Sequence, residues 1–384
     1  MKTLVLNYEY PPIGGGGGRV SEQIAIRLGS RGHEVRVLTS RCRGIPAFEE
    51  YGNVKVKRIF SFRRKPDRCG VFGMAGYIIA GIIPAVMMCL RWKPDLIHAH
   101  FAVPSGALAY LVSILTRTPY ILTAHLGDVP GCIPDQTDRL FFFFKPFTYA
   151  IWKKARAVTT VSGFVRNMAL KTYDVPVVVI PNGIDLKSAQ QLSCQGKKAG
   201  KPVKLVFSGR FNPQKNVLLI CELLRVTRDY EWEMHFVGDG QLMADVRSKI
   251  DEYDLNDRTF FHGWVEPSEA EKISASCDIL LIPSLVEGMP VAVLNGMALG
   301  LAVLGSDIEP LRDLITDGVN GFLCDVFSAD SLAAKMKMLL ENSEMLEEIK
   351  ENNRRASENY DWERIVTMYE EVLRRSVKDS RVEL

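Results

Sequence analysis

A chain of 384 residues is long enough for two domains, each with a core of its own. Its 47% apolar and 24% charged composition is that of a globular protein, and a net charge of +3 is too small to favour nucleic acid as a partner. Eight cysteines lie scattered, with no Cys-x-x-Cys pair and no histidine at zinc-finger spacing, which argues against a zinc module and for a reducing compartment.

The first run, Met1-Lys-Thr-Leu-Val-Leu-Asn7, is too short for a signal peptide. It predicts a buried strand and a cytoplasmic location. Tyr10-Pro-Pro-Ile-Gly-Gly-Gly-Gly-Gly-Arg19 follows, ahead of an expected helix over 20–28. Its glycines expose backbone N–H groups where a helix N-terminus favours an anion. The loop is neither Gly-x-Gly-x-x-Gly with an acid about twenty residues on nor a Walker A sequence, so NAD and P-loop chemistry are weak readings. Strand-like runs at 3–7, 34–39, 54–59, 96–98, 120–123, 157–161 and 177–180 alternate with helical patterns. That alternation predicts a parallel sheet covered on both faces.

Residues 71–90 carry no charge and are flanked by Arg63-Arg-Lys-Pro-Asp-Arg68 and Arg91-Trp-Lys93. Length and flanks meet the criterion for a membrane span. Gly73, Gly76, Gly81 and Pro84 weaken a helix, and a span would put the halves of one βα unit on opposite sides of a membrane. The expectation is a helical pair, buried or lying at an interface, with attachment to a membrane surface as the second choice. The segment Arg139-Leu-Phe-Phe-Phe-Phe-Lys-Pro-Phe147, followed by Trp152-Lys-Lys154, fits attachment or a core helix with a basic edge.

A polar break at 188–202 reads as a linker between domains at 1–187 and 203–361. Further strand candidates are 203–207, 233–237, 259–261, 279–282, 302–304 and 321–324, and an amphipathic helix from Trp362 ends the chain. The pattern predicts an α/β protein of two Rossmann-like, doubly wound domains facing across a cleft, with ligands at the carboxyl ends of strands.

Two stretches carry the chemistry. Ser208-Gly-Arg-Phe-Asn-Pro-Gln-Lys215 supplies a planar fork, Arg210, and a point charge, Lys215. Pro283-Ser-Leu-Val-Glu-Gly-Met-Pro-Val-Ala-Val-Leu-Asn-Gly-Met297 places Glu287 on a Gly/Pro loop before an apolar helix start. One carboxylate for hydroxyls and two cations for a diphosphate describe a nucleotide-sugar site. No Asp-x-Asp triplet occurs in the chain, so no metal is expected and charge neutralisation falls to side chains.

These stretches resemble the C-terminal half of the family 4 retaining glycosyltransferases of the GT-B fold. Further likenesses are Arg31-Gly-His-Glu-Val35, Lys93-Pro-Asp-Leu-Ile-His-Ala-His100, Thr123-Ala-His-Leu-Gly-Asp128, Pro181-Asn-Gly-Ile-Asp185, Val237-Gly-Asp-Gly240 and Gly318-Val-Asn-Gly-Phe322. The resemblance covers nearly the whole chain. It implies that residues 362–384 cross back onto the first domain. It implies donor binding by Gly15 and Gly16, by Arg210 and Lys215, by Glu287 on the sugar hydroxyls, and by amides at Gly288, Met289 and Val291. Val265 would lie by the base, and His125 by the donor sugar and reacting centre. Asp128 is a candidate acceptor contact, while His98 and His100 shape a strand end. The family's second acid, usually on the ribose hydroxyls, is replaced here by Asn295, which implies weaker or altered nucleotide binding. The implied reaction is front-face transfer, in which the leaving phosphate takes the acceptor proton and no enzyme nucleophile is needed. The apolar segments at 71–90 and 139–147 motivate the expected acceptor, a glycan or lipid-linked precursor in cell-envelope polysaccharide synthesis, met in the cytoplasm at the inner face of a membrane. The alternatives are a nucleotide-sugar epimerase and a binding subunit with weakened catalysis.

Overall fold

The computed structural model describes residues 1–63, 69–132, 146–196 and 202–378. They cluster into two units, Met1–Asn182 with Trp362–Leu384, and Gly183–Asp361.

The first unit is built on β1 (Lys2–Leu6), β2 (Glu34–Ser40), β3 (Phe48–Tyr51), β4 (Val54–Ile59), β5 (Leu96–His100), β6 (Tyr120–Ala124), β7 (Val158–Thr160) and β8 (Val177–Val179). Their order is β3-β4-β2-β1-β5-β6-β7-β8. Every pairing is parallel except that of edge strand β3. The central strands β1, β5 and β6 are buried along almost their whole length because helices cover both faces. The C-terminal helix (Trp362–Lys378) buries Trp362, Ile365, Val366, Tyr369, Val372 and Leu373, a helical stripe, in the same core as Val20, Ile24 and Leu28. Arg31 clamps it through Glu363 (2.7 Å) and Glu370 (3.2 Å), and His33 contacts Glu370 at 3.1 Å.

The second unit contains β9 (Val203–Ser208), β10 (Trp232–Val237), β11 (Thr259–Gly263), β12 (Ile279–Ile282), β13 (Ala302–Ser306) and β14 (Gly321–Cys324). The order β11-β10-β9-β12-β13-β14 is all parallel. This is the doubly wound order, and its switch point lies between β9 and β12.

Three expectations need correction. Residues 188–196 are not a linker: Leu186–Gly196 is a helix, and Leu186, Ala189 and Leu192 pack on the second unit's core. Ile184 donates to the Tyr360 carbonyl (2.9 Å), so this unit begins at Gly183 rather than at 203. Helix α1 (Gly16–Ser30) starts four residues early and absorbs three of the five glycines. Helix α2 (Val71–Trp92) is one continuous helix through Pro84, not a pair, and only 28% of its most apolar 18-residue window is buried. Of the aromatic segment at 139–147, residues up to 145 lie outside the described ones.

Candidate functional site

Arg210 and Lys215 follow β9, and Glu287 follows β12, so the two strands flanking the switch point aim them at one place. Lys215 Nζ lies 2.5 Å from Glu287 Oε1, with side chains 20% and 8% exposed. The local fold fixes both. Asn212 Oδ1 accepts the Lys215 amide (3.1 Å), capping a short 3₁₀ turn, Pro213–Lys215. Gln214 then ties the two loops together: its carbonyl accepts from Leu285 N (2.9 Å) and its side-chain amide donates to the Val286 carbonyl (3.0 Å). Arg210 is exposed and pairs with no carboxylate among the described residues.

Gly288 is buried at the entrance to helix Val291–Leu299. Among the described residues the amides of Gly288 and Val291 have no acceptor, and Pro290 has no N–H to offer. Met289 and Val291 are half-buried in the same turn. Asn295, on the first turns of that helix, is half-buried and its side chain has no partner among the described residues. Val265 is half-buried just beyond β11, next to an exposed Trp264. The Arg210 loop is set by backbone contact. A Cβ on Gly238, at φ +125°, would stand 2.0 Å from the Gly209 carbonyl oxygen. Gly238→Ala is therefore expected to cost at least about 2 kcal/mol of stability and to weaken donor binding through Arg210. Thermal unfolding and donor affinity of the variant check this.

The first unit assembles its own group at the carboxyl ends of β1, β5 and β6, again at a switch point. His125 follows β6 and is buried. Its backbone N–H donates to Asp128 Oδ2 at 2.8 Å, and its side chain accepts from the Asp128 backbone in a capping box. The unpartnered ring nitrogen is Nε2, so the network assigns Nδ1 as acceptor and Nε2 as the N–H. Desolvation lowers the ring to about 4, so it is neutral at pH 7. Burial pushes the Asp128 carboxyl up to about 7 against the pull of backbone donors. Its other oxygen, Oδ1, accepts from Ala102 N at 2.8 Å. With both oxygens engaged by amides, Asp128 holds the His125 loop; it does not present a free carboxylate to an acceptor. His98 and His100 lie in β5, fully buried; desolvation lowers His98 to about 3 and His100 well below its usual value.

Gly15 and Gly16 border open space. The close approaches are at Gly17, whose Cβ would meet the Phe101 ring at 2.6 Å and His125 at 3.4 Å, and at Gly18, which lies against the Glu9 carbonyl. The amides of Gly16, Gly17 and Gly18 are left over at the start of α1. Three further residues belong to this group and were not singled out from the sequence. Phe101 sits at φ +71° with its ring 4.4 Å from His125. Glu9 faces Arg63 at 3.6 Å. No local sequence pattern marks a strained backbone or an ion pair 54 residues apart.

The family model described as Glycosyltransferase Family 4 matches residues 14–188, and the one described as Glycosyl transferases group 1 matches residues 189–356. The N-acetyl-alpha-D-glucosaminyl L-malate synthase of Bacillus anthracis is 23% identical over 97% of this chain and 97% of its own length. The sucrose-phosphate synthase of Thermosynechococcus elongatus superposes with a TM-score of 0.81 at 19% identity, covering 97% and 98% of the two chains. Anabaena HepE, in complex with UDP and glucose, superposes at 0.76 with 18% identity over 97% and 99%. The chain belongs to the family 4 glycosyltransferases of the GT-B fold, enzymes that transfer glycosyl groups.

Proposed function

We propose that the protein transfers a sugar, with retention at the anomeric carbon and without a metal, from a nucleoside-diphosphate sugar to a hydroxyl of a glycan or lipid-linked acceptor. The observation that supports it most is the Lys215–Glu287 pair at the switch point, beside the exposed Arg210 and the free amides of Gly288 and Val291. A carboxylate accepts from sugar hydroxyls. Arg210 and Lys215 meet the charge that develops on the diphosphate as the glycosidic bond breaks. The acceptor oxygen bonds to the anomeric carbon on the face the diphosphate leaves, and its proton passes to the departing phosphate oxygen. His125, neutral at pH 7, donates Nε2–H to the donor sugar rather than acting as an acid. Gly15 and Gly16 lie at an open helix N-terminus that suits the donor phosphates. That a structural neighbour carries UDP and glucose fits such a donor. The setting is the cytoplasm at the inner face of a membrane, in keeping with seven free cysteines among the described residues.

The test is product analysis with EDTA present. An α-linked nucleotide sugar is expected to give an α-glycoside in the proton NMR spectrum. A β-product, or turnover only after a divalent cation is restored, contradicts the proposal. Asn295→Glu restores a charged acceptor and is expected to tighten nucleotide binding roughly fivefold, about 1 kcal/mol. Titration calorimetry reads it. A very large gain in turnover from the same change would instead mark a catalytically weakened subunit.

A further inference from the structure

Neither group of site residues uses the outward face of α2. This helix buries Gly73, Gly76, Gly81 and Ala85 together with Tyr77 and Trp92, and turns a stripe of other large apolar residues outward. Phe72 is 87% exposed, Ile79 72% and Ile83 73%, and Leu90 continues the stripe. At 1.5 Å per residue it runs roughly 27 Å. A surface helix of a soluble domain has the reverse pattern, with polar residues outside. Phe62, exposed and packed against Gly76, widens the apolar surface.

The stripe ends in positive charge. Arg36, Lys57 and Arg91 surround a pocket of about 400 Å³ whose apolar wall is Ile83, Pro84, Met87 and Met88. Arg36 lies over the Trp92 ring at 4.4 Å and Lys57 is 5.8 Å from the Phe48 ring. Among the described residues none of the three cations pairs with a carboxylate. The helix cannot span a bilayer, because β4 and β5, the strands on either side of it in sequence, belong to one sheet.

We infer that α2 is a docking surface for an anionic lipid bilayer. The helix lies along the interface, with its stripe among the acyl chains and a lipid phosphate in the Arg36/Lys57/Arg91 pocket. Apolar area beside unpaired cations matches what such a surface offers, acyl carbon beside phosphate. The inference does not depend on the donor or on the reaction.

Cosedimentation of the full chain tests it, with vesicles of phosphatidylcholine alone and of phosphatidylcholine mixed with phosphatidylglycerol. Binding to the mixed vesicles, weakened by salt, is expected. Removing the cations by Arg36→Gln, Lys57→Gln and Arg91→Gln together is expected to lower the affinity roughly a hundredfold. The double change Ile79→Ser and Ile83→Ser, at two exposed positions that leave the core intact, is expected to abolish sedimentation while circular dichroism stays native. Failure to bind the mixed vesicles overturns the inference. So does binding that both sets of changes leave unaltered, or a dimer in gel filtration that the isoleucine changes dissociate, which would put a second copy on this face.

Discussion

Lys215→Ala is expected to lower turnover by about 10²–10³-fold with the donor nucleotide sugar, the cost of removing one preorganised group from developing charge. Its backbone is fixed by the Asn212 cap and its side chain by the Glu287 contact, so its geometry is set before the substrate arrives. Both kcat and kcat/KM fall, because the charge on the departing diphosphate grows in the transition state. Lys215→Arg keeps the charge but not the point geometry and is expected to recover only part of the loss. Glu287→Gln separates the two roles: it removes the charged acceptor for sugar hydroxyls while Lys215 remains. Steady-state kinetics of the three variants, with circular dichroism to confirm folding, check the order. A Lys215→Ala enzyme with native turnover would remove this residue from the mechanism.

Acid is expected to destabilise the first unit by roughly 3 kcal/mol between pH 7 and pH 5. His98 is lowered to about 3 and His125 to about 4, and His100 lies well below its usual value; desolvation dominates each. A histidine whose folded value is depressed keeps its contribution above the unfolded value near 6.5, and the contribution is lost as pH falls below it, because only the unfolded chain takes up the proton. Asp128 works the other way: raised to about 7, it binds its proton in the folded state first and returns some stability in acid. Three histidines against one carboxyl leave a net loss. Asp128→Asn removes the opposing proton and leaves one of the Ala102 and His125 amides facing an N–H₂ group. It is expected to cost about 1–3 kcal/mol at pH 7 and to make the acid loss steeper. Thermal unfolding of both proteins at pH 7, 6 and 5 measures this, and a flat profile for the native chain contradicts the buried, neutral histidines.

Most strands were legible because buried parallel strands are short apolar runs between turn residues, as in Ile279–Ile282. The edge strand Phe48–Tyr51 was not, since two of its four residues are glutamates, Glu50 exposed and Glu49 half-buried against Arg58. The helix Leu186–Gly196 hid in a polar stretch because three apolar side chains suffice to seat it. The glycines of α1 read as a loop by propensity, and packing against Phe101 and the Glu9 backbone overrides that preference at Gly17 and Gly18. Arg210, Lys215 and Glu287 were recognisable as residue types, but their convergence comes from the pairing of β9 with β12, a long-range fact. The outward face of α2 was hidden by the same apolar composition that marked the segment, since composition says nothing about which side a helix buries.

The most direct test is calorimetric titration of UDP-, GDP- and ADP-sugars into the protein in EDTA, repeated with the Arg210→Ala, Lys215→Ala double variant. One nucleotide sugar is expected to bind without metal, and the double variant is expected to lose that binding. Binding that requires a divalent cation, or that survives the loss of both cations, would contradict a diphosphate site built from Arg210 and Lys215.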